Sequence, residues 1–180
     1  MIKKPYSPGL KGKKRKSPPS EYSKQLREKQ KLKLFYNLQE KQFKNYVKEI
    51  LSKKGKIEDA SAALIKLLES RLDNVVFRLG FATSRTQARK LVSHGYFLVN
   101  GRTINIPAYQ VRKGDVVSIK PTKRKKKVFQ DLKKLLEKQK IFPWLELNIE
   151  KLDGKVVGEP SLSEVAPAVE ISTIFEYYSR

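Results

Sequence analysis

Residues 71–119 read RLDNVVFRLGFATSRTQARKLVSHGYFLVNGRTINIPAYQVRKGDVVSI. Leu72, Val75, Val76 and Leu79 recur at i, i+3, i+4 and i+7, an apolar stripe that predicts a helix over 71–79. Gly80 stops it, because glycine takes the left-handed conformation at a helix end without a Cβ penalty. Thr83 or Ser84 can cap a second helix by accepting a hydrogen bond from a free backbone N–H. That helix is predicted to run to about His94, with Ala88, Leu91 and Val92 inward, and Gly95 ends it. Phe97, Leu98 and Val99 form a strand. Asn100-Gly101 is a strong two-residue hairpin signal, since a type I′ turn needs positive φ at both positions. Ile104 and Ile106 alternate with Asn105, which predicts further strand with one buried face, and Pro107 marks an edge or an end. Lys113-Gly114-Asp115 is a second turn before a last strand through Val116, Val117 and Ile119. Such a unit buries one core and presents one surface. It is too small for an enzyme pocket and holds no catalytic constellation.

The surface it presents is cationic. Arg85 and Arg89 are i, i+4 neighbours on one edge of the second helix, and Lys90 lies about 100° further round. The whole chain opposes 40 Lys and Arg to 18 Asp and Glu, a net charge of +22. So large an excess repels itself, and a polyanionic partner is the economical explanation. The charge is unevenly spread: residues 1–56 hold 18 basic and 4 acidic side chains, residues 57–120 hold 10 and 5, residues 121–140 hold 9 and 2, and residues 141–180 hold 3 and 7. Polyanion contacts are therefore expected in the first two thirds, and the acidic end is expected to pack elsewhere.

Outward from the central unit, three further regions emerge. Residues 1–19 are a basic, Pro- and Gly-rich arm centred on Lys11, Lys13, Lys14, Arg15 and Lys16, with too little apolar surface to fold alone. Pro18, Pro19 and Ser20 announce a helix whose apolar positions are Tyr22, Leu26, Leu32, Phe35 and Tyr36 and whose cations are Arg27, Lys29, Lys31 and Lys33. Asn37 and Leu38 break it. A second helix over about 39–54 gathers Phe43, Tyr46, Val47, Ile50 and Leu51, and Asp59 caps a third with Leu64, Leu67 and Leu68 inside. Beyond the central unit, Lys123 to Lys127 lead into a basic helix predicted over 123–140, followed by strands near 144–149 and 154–157. The domain boundaries read as arm 1–19, helical domain 20–70 completed by 160–180, and α/β domain 71–158.

Several function classes fall away. No cysteine means no disulfide and no thiolate zinc knuckle, and the single histidine, His94, cannot build a metal site alone, so no metal or cofactor is expected. No stretch approaches the ~18 apolar residues of a membrane span, and Met1 to Lys16 is Lys- and Gly-rich rather than a leader with an apolar core. A soluble intracellular protein without membrane partners is the expectation. The many aromatics among cations suit base and ribose stacking, although most are expected in the core.

RLDNVVFRLGFATSRTQARKLVSHGYFLVNGRTINIP resembles the RNA-binding domain of the small-subunit ribosomal protein S4 family. SEYSKQLREKQKLKLFYNLQEKQFKNYVKEI is similar to the helical region of the same family, and STIFEYYSR to its C-terminus. The likeness runs from about Tyr6 to Arg180 and is of the bacterial or organellar type. It implies an α+β fold: a helical N-terminal domain, a small RNA-binding domain of two helices on a short sheet, and a C-terminal segment returning to the helical domain. It implies a non-enzymatic role in translation, with direct binding to a multi-helix junction in the 5′ part of small-subunit ribosomal RNA and a part in ribosome assembly. Other implied partners are neighbouring small-subunit proteins and messenger RNA where it enters the subunit, and the implied place is the ribosome of a cytoplasm or an organelle matrix. Members usually carry a longer N-terminal lobe, sometimes with a zinc knuckle, whereas Met1 here stands close to Pro8-Gly9.

The candidate RNA-binding residues are Lys11, Lys13, Lys14, Arg15 and Lys16 of the arm and Tyr22, Arg27, Lys29, Lys31 and Lys33 of the first helix. Arg71, Arg85, Arg89, Lys90, Asn100 and Arg102 follow from the central unit, and Lys123, Arg124 and Lys125 from the basic run. Two other classes compete. The same module is appended to RNA-modifying enzymes such as pseudouridine synthases, but those need a separate catalytic domain. A helix-turn-helix DNA reader is disfavoured by the hairpin directly after the second helix.

Overall fold

The computed structural model describes residues 18–53, 57, 59–130, 132, 136 and 141–179. The arm cations Lys11 to Lys16 lie outside these. Helices α1 (Glu21–Phe35), α2 (Glu40–Ser52) and α3 (Ala60–Glu69) come first. Two of these starts have a local cause. Ser20 accepts the Ser23 N–H at α1, and Asp59 accepts the N–H groups of Ser61 and Ala62 at α3. Leu32, Phe43, Val47, Ile50, Leu64, Ile65 and Leu68 close one apolar core. The C-terminal helix α7 (Ile171–Ser179) lies along α1, and its Ile171 and Ile174 join that core. A short helix, α6 (Leu162–Val165), precedes it.

The second core belongs to α4 (Leu72–Arg78), α5 (Arg85–Ser93) and a five-stranded antiparallel sheet in the order β2-β1-β3-β5-β4. The strands are β1 (Phe97–Val99), β2 (Arg102–Thr103), β3 (Val116–Ile119), β4 (Leu145–Asn148) and β5 (Asp153–Val156). Gly80, at φ 81°, ends α4, and Ser84 caps α5 by accepting the Gln87 N–H. The hairpin forms at the anticipated place, with φ of 49° at Asn100 and 80° at Gly101. Leu72, Val75, Val76 and Leu79 are fully buried, as their spacing requires.

Three expectations give way. The second strand stops at Thr103 rather than running on to Ile106, which is 59% exposed. The chain after Thr103 instead turns back to α4, where the Leu72 N–H donates to Tyr109 O and the Asp73 N–H to Pro107 O. Lys123 to Lys127 do not form a helix. They span two 3-10 turns, Pro121–Lys123 and Lys127–Phe129, and helix is found further on at Leu132 and Leu136. In α1 the buried set is Gln25, Lys29 and Leu32, while Tyr22 is exposed, because α7 covers a different face from the one its apolar residues suggest. No described helix is long and apolar enough to cross a membrane.

Candidate nucleic-acid interface

The two cores meet at a buried polar junction. Glu69, at the end of α3, is fully buried and accepts from Tyr36 Oη (2.7 Å), Asn74 Nδ2 (2.6 Å), Arg78 Nε (2.9 Å) and Arg78 Nη2 (2.6 Å). Two residues past α3, Arg71 is 2% exposed; it donates to both carboxylate oxygens of Asp73 and to Tyr46 Oη. Asp73 also takes Arg89 Nε and Nη2 at 3.0 and 2.9 Å, while Arg89 Nη1 donates to Asn37 O. Arg85 Nε donates to Asn74 Oδ1 (2.9 Å), and its guanidinium lies 4.1 Å from the Phe35 ring centre and 4.6 Å from that of Phe77. Burial, then the charge of Glu69, pushes the Tyr36 phenol well above its ordinary range. Burial, then the charge of Arg78, lowers the Arg85 guanidinium. Charges this dry are tolerated because nearly every donor and acceptor is matched.

A second cluster fastens α7 to α1 and α2. Lys29, 4% exposed, donates to Glu40 Oε1 at 2.6 Å and sits 4.6 Å from the Tyr177 ring centre. Tyr178 Oη and Lys33 Nζ also donate to Glu40, at 2.7 and 3.1 Å. Burial works to raise the Glu40 pKa, but the hydrogen bonds from Lys29, Tyr178 and Lys33 outweigh it and hold the carboxyl down to about 2.

These two clusters sort the sequence candidates. Lys29, Arg71 and Arg89 carry structural duties: their charged groups are taken up by Glu40 or by the buried Asp73, and Lys29 and Arg71 are themselves buried. Arg85 is only half-buried but is held by rings and by Asn74. Lys33 and Lys31 pair with Glu40 and Glu28. Tyr22 reaches Tyr177 on α7, with the hydroxyls 3.5 Å apart. Asn100 uses its side chain to donate to Asp115 Oδ1 (2.7 Å) and accept the Val116 N–H (2.9 Å), which ties the hairpin to the 113–115 turn. Lys123 lies 5.1 Å from the Tyr96 ring centre, and Arg124 Nε donates to Ile119 O at 3.3 Å.

What remains outward is a consistent set. Arg27, Lys90, Arg102 and Lys125 are exposed and have no acidic partner among the described residues. The reason is geometric: Lys90 is one residue on from Arg89, and 100° of helix turns it from the junction into solvent. Lys41, Lys44 and Lys48 join them, and sequence reasoning missed these three. They form an exposed i, i+3, i+7 row on α2, apart from the buried row of Phe43, Val47 and Ile50. That spacing was the available signal. Arg112 and Lys113 were missed as well; both are exposed at the turn before β3. Beside the α2 row, a groove runs between Gln39 and Gln42 on one side and Ile106, Pro107 and Ala108 on the other, with Arg71 and Arg89 contributing to its walls. The arrangement can neutralise phosphates on an outer face while a buried junction fixes the two domains that bear them. Among the described residues, no group of three or more His, Asp or Glu is placed to hold a metal.

A helical domain joined to a hairpin-bearing α/β domain, with unpaired cations on both, defines a class of nucleic-acid-binding proteins. The comparisons with known families make it specific. Residues 70–117 match the S4 domain, and residues 1–69 match the ribosomal protein S4/S9 N-terminal domain. Small ribosomal subunit protein uS4 of Thermus thermophilus is 43% identical over all 180 residues, which cover 85% of its own length. The uS4 of Halothermothrix orenii is 46% identical over 97% of this chain and 82% of its own. That of Thermotoga maritima is 42% identical over 99% and 84% respectively. The chain belongs to the uS4 family of small ribosomal subunit proteins.

Proposed function

We propose that this chain is a structural, non-catalytic constituent of the small ribosomal subunit and that it binds the subunit's RNA directly. The observation that carries the reading is kinship along all 180 residues of this chain and 85% of the relative, at 43% identity, with a protein named for that subunit. The outer cations supply the mechanism. Arg27, Lys41, Lys44, Lys48, Lys90, Arg102 and Lys125 lack acidic partners among the described residues and are available to phosphates. Phosphate neutralisation with release of counterions gives the affinity, and the rigid turns set the register. Folded RNA is read mainly by its shape. The arm residues Lys11, Lys13, Lys14, Arg15 and Lys16 bring further positive charge to the same task.

The finer reading is that the target is a multi-helix junction in the 5′ domain of the RNA, bound early enough to nucleate assembly. Neighbouring small-subunit proteins and messenger RNA at its point of entrance complete the surroundings, within a cytoplasm or an organelle matrix. Family resemblance supports this part. An RNA-modifying enzyme is not favoured, because the relatives that match along nearly the whole of this chain are small-subunit ribosomal proteins. Mass spectrometry of purified ribosomal subunits tests the reading. The chain is expected in the small-subunit fraction at unit stoichiometry and retained through a moderate salt wash. Its absence from that fraction would refute the proposal.

A further inference from the structure

The buried junction has a property that phosphate binding does not require. Four of its members come from the helical domain: Tyr36, Asn37, Tyr46 and Glu69. Six come from the start of the second domain: Arg71, Asp73, Asn74, Arg78, Arg85 and Arg89. Apolar packing in the two cores does not by itself fix their mutual angle, since each core closes on its own residues. The hydrogen bonds across the junction are directional and do fix it. Glu69 is the hub: it receives Asn74 and Arg78 from the second domain, while Tyr36 of its own domain donates to the same carboxylate and holds it facing them.

We infer that Glu69, with Tyr36, is a positioning pair that sets the angle between the α2 lysine row and the hairpin-borne Arg102, so that both meet one folded RNA. This rests on the RNA-binding reading above. Neither residue touches RNA: Glu69 is fully buried and Tyr36 is 3% exposed. A looser junction leaves every phosphate contact in place but populates the binding-competent angle less often, and the apparent affinity falls by that fraction. The signature separates positioning from contact. A contact residue, once removed, lowers the salt slope by about one. A positioning residue lowers affinity equally at every salt concentration and leaves the slope unchanged.

The test uses full-length protein carrying Tyr36→Phe, Glu69→Gln or Arg102→Ala, with transcribed small-subunit ribosomal RNA as the probe at 50 and 200 mM salt. Tyr36→Phe keeps the ring beside Arg85 and removes the hydrogen bond that holds the Glu69 carboxylate toward Asn74 and Arg78, so affinity is expected to fall about fivefold at both salts. Glu69→Gln is expected to fall further, again with the wild-type slope. Arg102→Ala is expected to reduce the slope. Should Glu69→Gln fail to fold, Tyr36→Phe alone decides, measured well below its melting temperature. Wild-type affinity for folded Tyr36→Phe overturns the inference, and so does a slope that drops with it. Small-angle scattering of the free proteins supplies an arm that needs no RNA. A wider distribution of interdomain distances is expected for Tyr36→Phe, and a distribution identical to wild type overturns the inference. If wild-type protein shows no salt-sensitive RNA binding, the functional reading fails instead, and scattering still judges the junction.

Discussion

Arg89 and Lys90 are neighbours in sequence and opposites in duty. Arg89 turns inward to Asp73 and Asn37, whereas Lys90 stands in solvent without an acidic partner among the described residues. The same division runs through the molecule. Arg71, Arg78, Arg85 and Arg89 gather at the junction between the domains, where Glu69, Asp73, Asn74 and five aromatic rings receive them. Lys41, Lys44, Lys48, Lys90 and Arg102 lie on the outside. The junction favours arginine because a planar fork can hold two carboxylate oxygens at once and stack on rings. The outer α2 row is lysine, a solvated point charge suited to phosphate. Positive charge in this chain therefore builds the platform as well as the binding face, and only burial separates the two uses.

The contrast breaks most visibly at Asp73. Asp73→Ala leaves Arg71 buried with Tyr46 alone and frees Arg89, and is expected to cost about 3–5 kcal/mol, the usual penalty of an orphaned buried charge. Urea denaturation reads it; a change below about 1 kcal/mol would mean the junction is not structural. Gly101→Val comes next. A β-branched residue at φ 80° is expected to lose about 1–2 kcal/mol and, by bending the hairpin, to weaken RNA binding. Thermal melts with binding at two salts check both effects.

Acid titration probes the α1–α7 cluster with a smaller effect. Glu40 has a folded pKa of about 2 against an ordinary value of 4.5. A depressed carboxylate contributes stability above its unfolded pKa and loses it as pH falls through the folded one. Wild type is therefore expected to lose more stability than Glu40→Gln between pH 5 and pH 2. Because Glu40 is 45% exposed, solvent screening keeps the difference small. Arg102→Ala sits at the other end of the scale. Its stability is expected to stay within about 0.5 kcal/mol of wild type, while its salt slope falls by about one.

Much of the fold was legible because local rules settle it. The spacing of Leu72, Val75, Val76 and Leu79, the caps at Ser20, Asp59 and Ser84, and the Asn100-Gly101 turn all act within a few residues. The misread parts depend on distant partners. Lys29 looks like a solvated helix cation until Tyr177 and Glu40 close over it, and Arg89 pairs with an acid 16 positions away. Ile106 continues an alternating pattern, yet the backbone after Thr103 is drawn to α4 instead of the sheet. A clue to the junction was present all the same. Glu69 and Asp73 interrupt an apolar helical stretch, and an acid in such a place demands a cation. For the outer face, the polar side of α2, with Lys41, Lys44 and Lys48, carries as much information as its apolar side.

The most direct test of the division is one titration. RNA affinity is measured from 50 to 200 mM salt for wild type and for a variant with alanine at Lys41, Lys44, Lys48, Lys90 and Arg102. Wild type is expected to show a steep slope, about −0.7 to −0.9 for each of at least six neutralised phosphates. The variant is expected to melt like wild type and to lose several units of slope. A shallow wild-type slope, or an unchanged slope in the stripped variant, would contradict the assignment of RNA binding to the outer cations.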